Sequence, residues 1–469
     1  MYTAAPQAGL SGGLEAEGGR FGTQQYGGHV NGGSDVIDGA AMVERFETDG
    51  FNTRTDDTLL RDDDGYDNTT LHARGGWNIS DTLRAELVGR TVSGEGDYDE
   101  CYLGEPTYAR TDDCRQKYDQ DFGRVALVHR VEKFANTLSY NANTLDREYY
   151  TEGFNDYSYN SDFQEVDYLG NWKDSDMLSL VYGAELQRDS MNAGDGDESR
   201  DEEGYFLEYQ GGFNDDVFLS AGARYTDNED FGTKTTYRAG AVYLVTAGEG
   251  EFKLKTTYGT GFRAPGLYEI AYNVGPFATP PALGTELGAE ESEGYDAGVG
   301  YFATSGWYVD VVYFDQKIDD EIYFDLINFS GYLQGPGESS SNGVEVSAEV
   351  PLNDMLTLTS NYTYTDTKDF EGEQRLRVPK NMGNIGVLVS PWDGRLQVNV
   401  NYRVARDTAE ETSGSVDDYE VLDISASYQV LEYMQVFARV ENATDEDYQE
   451  IPDFRTPGAA GYAGVRFTF

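Results

Sequence analysis

Two acidic segments contain the side chains best suited to chemistry in this chain. One runs from residue 97 to 101 and resumes from 112 to 121, and the other contains Asp156, Asp162 and Glu165. Calcium takes six to eight oxygen ligands, so carboxylates clustered on neighbouring loops suit it. The alternative is a pair of merely solvated acidic loops, because the spacings do not form an EF-hand. The expected ligands are Asp99, Asp112, Asp113, Asp156 and Asp162.

Tyrosines in or beside the same segments are candidate ligand contacts. Aromatic rings at loop apices supply flat apolar surface against which a small molecule can pack. Tyrosines at strand ends are also typical of a membrane interface, which is the alternative interpretation of each ring. The candidates are Tyr102, Tyr108, Tyr149, Tyr150 and Tyr159.

The two cysteines, Cys101 and Cys114, predict one disulfide that closes a short loop in an oxidising compartment. A zinc site would need more ligands than two cysteines and three scattered histidines provide. His29, His72 and His129 are far apart in the sequence, and no Ser/His/Asp arrangement accompanies them. We therefore expect no catalytic centre, and the chain is not predicted to be an enzyme.

The formal net charge of −51, from 34 basic and 85 acidic residues, is extreme. Phosphate binding needs a basic surface, so nucleic acid is excluded as a partner. The excess carboxylates either are solvated in a salty milieu, where screening relieves self-repulsion, or bind divalent cations. No run of eighteen apolar residues exists, which excludes transmembrane helices. The opening MYTAAP also lacks the basic start and apolar core of a signal peptide.

The last nine residues form an alternating strand that ends on an aromatic side chain. Because a strand repeats every two residues, Ala463, Val465, Phe467 and Phe469 share one apolar face opposite a polar one. The same alternation recurs along nearly the whole chain. Further strands are predicted at residues 9–17, 24–31, 40–47, 68–77, 83–92 and 355–365, with apolar stripes at 385–389, 396–402 and 422–428.

Short and long connections alternate between these strands. This asymmetry is typical of outer-membrane barrels, and about ten membrane residues per strand gives roughly 20 to 24 strands. The predicted fold is an all-β transmembrane antiparallel barrel of about 22 strands, with short periplasmic turns and long extracellular loops. We expect no helix after residues 259–261, because Pro265 follows. The predicted turns are 78–81, 351–354 and 391–394, and the predicted long loops are 53–67, 93–121, 146–161, 366–377 and 405–418.

Four blocks, in order along the chain, resemble those of TonB-dependent outer-membrane receptors. Residues 258–269 (YGTGFRAPGLYE) are similar to the family's strand-to-loop signature, and residues 286–298 (ELGAEESEGYDAG) to its L-x-P-E-x-S-x-x-Y-E-x-G block. Residues 377–386 (RVPKNMGNIG) resemble the R-x-P-x-H/N block. Residues 441–458, which contain ENATDEDY and TPG, resemble the closing module that precedes the terminal aromatic strand.

The departures from these blocks concern the subfamily rather than the fold. Ala289 replaces the usual proline, Ala443 and Thr444 replace Leu-Phe, and Ala459 stands where arginine is usual. Within the family, the chain is most similar to the vitamin B12 receptor group. This similarity lies in the RFGTQ stretch at 20–24, the ETDGFN stretch at 47–52 and the barrel length.

This resemblance implies a barrel for uptake of a corrinoid across the bacterial outer membrane, with calcium ordering the two acidic loops. The implied partners are a small-molecule ligand, the lipid bilayer with its lipopolysaccharide, and TonB. The protein is expected to be a monomer. Residues 1–469 match the barrel alone, so we expect the plug domain and signal peptide to be absent and TonB to act only through the missing plug. The alternatives are a ferric-siderophore receptor, a plugless passive pore, and a docking barrel for phage, bacteriocin or a partner protein.

Overall fold

The alternating segments pair with their sequence neighbours into one closed antiparallel barrel of 22 strands. The computed structural model describes residues 9–55, 62–103, 109–175, 177–194, 196–410 and 414–469. Closure joins the first strand to the last, with Gly13 opposite Thr468 and Gly19 opposite Tyr462. The predicted fold class is therefore confirmed, including the strand number and the terminal aromatic strand.

The barrel strands are β1 Gly9–Gly19, β2 Gln24–Gly33, β3 Ile37–Thr48, β4 Tyr66–Asn78, β5 Leu83–Tyr98, β8 Cys114–Val131, β9 Phe134–Thr151, β10 Phe154–Ser175, β11 Leu178–Ala193, β12 Gly196–Phe213, β13 Val217–Asn228, β14 Gly232–Ala247, β15 Gly250–Arg263, β16 Glu290–Ala303, β17 Tyr308–Asp319, β20 Glu338–Asn353, β21 Leu356–Lys368, β22 Pro379–Val389, β23 Leu396–Glu410, β25 Tyr419–Leu431, β26 Met434–Glu441 and β27 Ala460–Thr468. Five short strands lie in the connections: β6 Cys101–Tyr102, β7 Arg110–Thr111, β18 Ile322–Phe324, β19 Tyr332–Gln334 and β24 Gly414–Val416. One helix, α1 Leu267–Val274, accompanies them in the described residues.

Alternation gives every barrel strand an apolar outer face and a polar inner face. Leu14, Leu87, Leu186 and Leu207 are each more than half exposed, although they are large apolar side chains in regular strands. Such side chains are exposed on the outside of a membrane barrel because hydrocarbon, rather than water, surrounds them. Polar and charged residues occupy the alternate, inward positions, where they line the interior.

The two ends of the barrel differ in their connections. At one end, which we call the turn end, consecutive strands are joined by short segments such as 34–36, 132–133 and 432–433. At the other, which we call the loop end, several connections are much longer: 49–65, 99–113, 264–289, 320–337, 369–378 and 442–459. The predicted asymmetry is confirmed. Among the described residues, no helix is long and apolar enough to cross a membrane.

Two kinds of local prediction were wrong: the extent of three long loops, and the absence of a helix after residues 259–261. In the predicted loop 93–121, residues 93–98 belong to β5 and residues 114–121 to β8, and in the predicted loop 405–418, residues 405–410 belong to β23. Residues 146–161, predicted as a loop, form a regular hairpin of β9 and β10, in which Asp146 pairs with Asn160 and Glu148 with Ser158. The pairing extends far beyond a membrane crossing, since β10 has 22 residues and a tilted strand crosses hydrocarbon in about 9–11. The second error is α1, which begins two residues after Pro265. Proline fixes only its own backbone and the residue before it, so it does not prevent a helix that starts after it.

Candidate functional site

The inner wall at the loop end carries a patch of tyrosines, which we call the mouth patch: Tyr66, Tyr98, Tyr118, Tyr149 and Tyr157. Tyr98 and Tyr149 meet edge to face with centroids 6.5 Å apart, and Tyr149 and Tyr157 are 6.1 Å apart. The Tyr66 and Tyr118 hydroxyls are 2.7 Å apart. These rings come from β4, β5, β8, β9 and β10, whose inward positions meet because neighbouring strands are in register.

Polar groups interleave with these rings. Arg147 Nη1 donates to Tyr149 Oη at 3.4 Å, and its guanidinium lies 6.0 Å from the Tyr118 ring centroid. Asn68 Nδ2 donates to Tyr118 Oη at 2.8 Å. Burial, followed by the neighbouring Tyr149 and Asp156, raises the pKa of the Tyr98 hydroxyl. Burial and the hydrogen bond with Tyr118 raise the pKa of Tyr66 to about 12. Both shifts favour the protonated phenol, the form that donates a hydrogen bond.

Below the mouth patch the inner wall becomes strongly charged. A concavity of about 990 Å³ opens along β4, β5 and β8–β10. Its size lies at the upper end of the range for small-molecule sites. The wall has cations and carboxylates facing the same space, as a hydrated interior requires. Its charged lining residues are Arg74, Arg90, Arg124, Arg130, Glu86, Glu165 and Asp167, and His72 lies among them.

The predicted disulfide is present above the mouth patch and closes the loop at 99–113. Cys101 and Cys114 have Cα atoms 6.0 Å apart and are joined through sulfur. Asp99 and Asp112 are both buried beside it, with 7% and 2% of their surface exposed. Asp112 Oδ1 accepts from Glu100 N at 3.2 Å and faces Arg110 Nε at 3.3 Å. Its Oδ2 is buried and has no hydrogen-bond partner in the described part of the chain.

The remaining predicted carboxylates are spread more widely. Asp113 is exposed beside Asp112, and its carbonyl accepts from Glu152 N at 2.8 Å. Asp156 is exposed and lies near Thr151 Oγ1, at 3.5 Å. Asp162 is about 20 Å further along β10 at roughly 3.3 Å per residue, where its carboxylate accepts from Thr144 Oγ1 at 2.8 Å. Asp162 shares its outward face with Val166 and Tyr168, so it lies on the opposite face of the barrel wall from the mouth patch.

The described residues contain no group of three or more His, Cys, Asp or Glu side chains arranged to hold a metal ion. The donor set nevertheless fits calcium in part, because Asp112 presents a buried carboxylate oxygen that no described group satisfies. Carboxylate oxygens are the ligands that calcium prefers. Calcium therefore stays a prediction, centred on Asp99 and Asp112.

The five predicted tyrosines separate into different environments. Tyr149 belongs to the mouth patch, and Tyr159 occupies an inward position opposite Arg147. Tyr150 points outward, where Lys117 Nζ lies 5.6 Å from its ring centroid. Tyr102 is 53% exposed in β6. Tyr108 lies outside the described residues.

Sequence reasoning missed Arg54, which joins three connections into a unit that we call the Arg54 lobe: residues 49–55, 99–103 and 442–459. Arg54 is 5% exposed, and its Nη1 lies 2.6 Å from Glu100 Oε2. Its guanidinium also stacks 4.9 Å from the centroid of Phe454. Two backbone hydrogen bonds flank it, Thr55 N to Asp453 O at 2.9 Å and Arg455 N to Thr53 O at 2.7 Å.

A second unit, the Tyr272 lobe, consists of residues 264–289, 320–337 and 369–378. Tyr272 on α1 packs against Phe324 and Tyr332, with both centroid distances 5.7 Å. The buried amide of Asn273 donates to Tyr332 O at 2.8 Å and accepts from Tyr332 N at 2.9 Å. By strand order this lobe lies across the barrel from the Arg54 lobe, so the two flank the mouth from opposite sides.

The closed barrel, its apolar outside and its polar interior define an outer-membrane β-barrel. The chain belongs to the TonB-dependent receptor family, because the family model described as "TonB dependent receptor-like, beta-barrel" matches residues 9–443. It is therefore a receptor or transporter barrel of the outer membrane and not an enzyme. In such barrels the short turns face the periplasm and the long loops face outward, so the loop end is extracellular.

Relatives and solved structures agree with this family. The chain is 28% identical to the vitamin B12 transporter BtuB of Photobacterium profundum over 97% of its own length and 73% of that protein. It is 23% identical to BtuB of Vibrio cholerae over 79% of its length and spans 60% of that relative. A mutant of the ferric enterobactin receptor PfeA from Pseudomonas aeruginosa has the same fold, with a TM-score of 0.83, 13% identity, and coverage of 100% of this chain and 81% of that one.

Proposed function

We propose that this protein captures a corrinoid at its extracellular mouth for TonB-dependent uptake across the outer membrane. The mouth patch carries the proposal, because it combines flat tyrosine faces with hydrogen-bond donors on one inward surface. A corrinoid presents a broad macrocycle with amide groups around its edge, which that combination suits. The similarity to a vitamin B12 transporter over 97% of the chain supports the same ligand class.

The individual residues have distinct roles in this proposal. Tyr98, Tyr149 and Tyr157 supply apolar faces for the macrocycle, and Arg147 donates hydrogen bonds toward its amides. The phenol of Tyr98 is neutral at physiological pH, as tyrosines ordinarily are, so it donates a hydrogen bond without the cost of burying a charge. The Arg54 and Tyr272 lobes flank the ligand. Coupling to TonB acts through a plug domain, which lies outside residues 1–469.

Calcium is part of this proposal as an ordering ion. Asp99 and Asp112 hold it, and the exposed carboxylates of Asp113 and Asp156 are further candidate ligands. A bound calcium ion would offset the charge of these carboxylates and hold the disulfide-closed loop against the top of β9. Because calcium and Arg110 both act on Asp112, the loop keeps part of its order when the ion is removed.

Competition binding tests the ligand class. The purified barrel is incubated with cyanocobalamin, and ferric-siderophore complexes are then added as competitors. We expect saturable cyanocobalamin binding that ferric chelates do not displace. Displacement by a ferric chelate at lower concentration than by unlabelled cyanocobalamin would assign the mouth to a siderophore. Conductance in a planar bilayer without binding of either ligand would instead support a passive pore.

A further inference from the structure

The inner wall near the turn end contains a concavity that is separate from the mouth patch. It has a volume of about 620 Å³ and spans the strands from β10 to β15. That volume falls within the range of small-molecule sites. We call it the lysine concavity and define it by the lysines and hydroxyl side chains that line it: Lys173, Lys253, Lys255, Ser179, Ser220 and Thr257.

The composition of the lysine concavity differs from that of the chain as a whole. Its described lining residues include three lysines and no Asp or Glu, whereas the whole chain has a formal net charge of −51. The other lining residues are hydroxyl and amide side chains, glycines and a few apolar residues. Ammonium, hydroxyl and amide groups all donate hydrogen bonds. The surface therefore offers positive charge and donors together, which is the combination that an anion requires.

Higher on the same wall, the cations are matched by carboxylates. Arg238, two residues from the concavity on β14, lies 2.6 Å from Glu208 on β12. In the concavity itself, Lys255 is matched by Asp310, at 2.5 Å. Lys253, by contrast, forms no ion pair with any carboxylate in the described part of the chain. The lysine concavity therefore keeps a positive charge that its own wall does not neutralise.

Gly240 keeps the floor of the concavity open. A Cβ atom at this position would lie 2.9 Å from Ser220 Oγ and 3.5 Å from Thr257 Cγ2. These two residues lie directly opposite Gly240 on β13 and β15, so a side chain here would project between them. Glycine thus leaves a recess between two hydroxyl-bearing side chains, which a small oxyanion can enter.

The lysine concavity continues the wall that descends from the mouth. On β10, Leu169 lines the charged concavity below the mouth patch, and Asn171, the next inward residue, lines the lysine concavity. Lys173 and Lys253 lie two and three residues from the turn-end termini of β10 and β15. Because the turn end faces the periplasm, the lysine concavity lies at the exit side of the barrel.

We propose that the lysine concavity binds the phosphate group of a small molecule that leaves the barrel on the periplasmic side. Lysine is a common phosphate-binding residue, in which it acts as a point charge. A phosphate group accepts hydrogen bonds from several directions at once. The ammonium groups of Lys173 and Lys253 and the hydroxyls beside Gly240 supply donors from different strands around one recess.

Two sources could supply this phosphate group: the phosphodiester of a corrinoid, and free inorganic phosphate. The corrinoid source rests on the proposed function, whereas binding of an inorganic phosphate does not. Cyanocobalamin carries a phosphodiester, and dicyanocobinamide has the same macrocycle without it. The pair of corrinoids therefore separates recognition of the phosphate from recognition of the macrocycle.

Equilibrium dialysis of the full barrel against inorganic pyrophosphate, in a detergent without phosphate, tests the site. K173Q/K253Q removes two cations and leaves the pair of Lys255 and Asp310 intact, so pyrophosphate should bind at least about tenfold more weakly. G240L fills the recess without changing the charge and should weaken binding by a similar factor. K317Q is the matched control, because Lys317 is paired with Glu338 at the loop end, at 3.0 Å, and should bind as the wild type does.

Folding of each variant is verified from its heat-modifiable mobility on gels. Equal pyrophosphate affinity in K173Q/K253Q and the wild type would overturn the proposal. So would an equal loss in K317Q, since the effect would then be general electrostatics rather than a site.

Displacement of bound pyrophosphate identifies the source of the phosphate group. Displacement by cyanocobalamin but not by dicyanocobinamide would assign the site to a corrinoid phosphodiester. Displacement by neither would support a site for free phosphate and overturn its role in corrinoid exit. Equal displacement by both would overturn the phosphate assignment, since the macrocycle would then be responsible. A barrel that binds pyrophosphate here but no corrinoid at the mouth would contradict the proposed function alone.

Discussion

Replacing Arg54 by alanine is the most informative single perturbation of the extracellular surface. The substitution removes a charge-assisted hydrogen bond to Glu100, worth about 1.5–3 kcal/mol, and a cation–π contact with Phe454, worth about 0.5–1 kcal/mol. Water hydrates the freed Glu100 carboxylate and offsets part of the lost hydrogen-bond energy, because the Glu100 side chain is 35% exposed. We therefore expect the Arg54 lobe to lose about 2 kcal/mol, while the barrel below it stays folded.

Hydrogen exchange measures this loss directly. The amides of Thr55 and Arg455 donate to partners across the lobe, so they exchange only when its connections separate. A loss of 2 kcal/mol corresponds to about 30-fold faster exchange, at 1.36 kcal/mol per factor of ten. Amides in the strand pairs below, such as those of β3 and β4, should exchange as in the wild type.

Two variants control for the removal of charge. Arg54→Lys keeps the charge without the planar fork, so it should recover only part of the protection. Arg188→Ala removes an exposed ion pair with Asp201 at 3.7 Å, where both side chains are about 60% exposed, and should change little. Wild-type exchange at Thr55 and Arg455 in Arg54→Ala would refute the reasoning, since the connections would then be held together without the guanidinium.

Three further predictions concern the loops. Thiol labelling of the unfolded, unreduced protein should find neither Cys101 nor Cys114 reactive, and reduction should loosen the loop at 99–113 by about 2–3 kcal/mol; labelling without reductant would contradict the disulfide. Chelation of calcium should increase protease cleavage within 99–113, and equal cleavage with and without chelator would remove calcium from the site. Hydrogen bonds from Ser330 and Asn328 lower the pKa of Asp325 to about 2. The stability that the Asp325 carboxylate contributes to the Tyr272 lobe is therefore complete above about pH 4 and is lost as the pH falls through 2. Tyrosine fluorescence during acid titration should show a transition near pH 2 that Asp325→Asn lacks.

The barrel could be predicted from the sequence because alternation is a local property. The first residues of β2 and β5 were predicted correctly, at Gln24 and Leu83. Within the membrane one face of each strand must be apolar, which makes the alternation visible in the sequence. The same logic fails at the top of β9 and β10, where both faces are wet and neither shows an apolar stripe. Residues 146–161 were therefore assigned to a loop, and the outward orientation of Asp162 could not be deduced.

Contacts between connections that are far apart in the chain could not be predicted from the sequence, for a different reason. Arg54 is 46 residues from Glu100 and 400 from Phe454, and no local pattern marks it as a buried guanidinium. The Tyr272 lobe similarly depends on Asn273 bonding to Tyr332 across a barrel hairpin. Cys101 and Cys114 are close enough in the sequence for their disulfide to be predicted, and Asp99 and Asp112 lie within two residues of one of them, so both are buried beside the bond. Their role as calcium ligands stays a prediction. The direction of each tyrosine depends on register, which requires the pairing of strands.

Two adjacent tyrosines allow the most direct test of ligand capture at the mouth. Tyr149 faces inward in the mouth patch, whereas Tyr150 faces outward beside Lys117. Cyanocobalamin affinity of the purified barrel should fall about tenfold or more in Tyr149→Ala, as expected when an aromatic anchor is removed, and remain at the wild-type value in Tyr150→Ala. Equal affinities for both variants and the wild type, or a loss only in Tyr150→Ala, would contradict the proposal that the mouth patch binds the ligand.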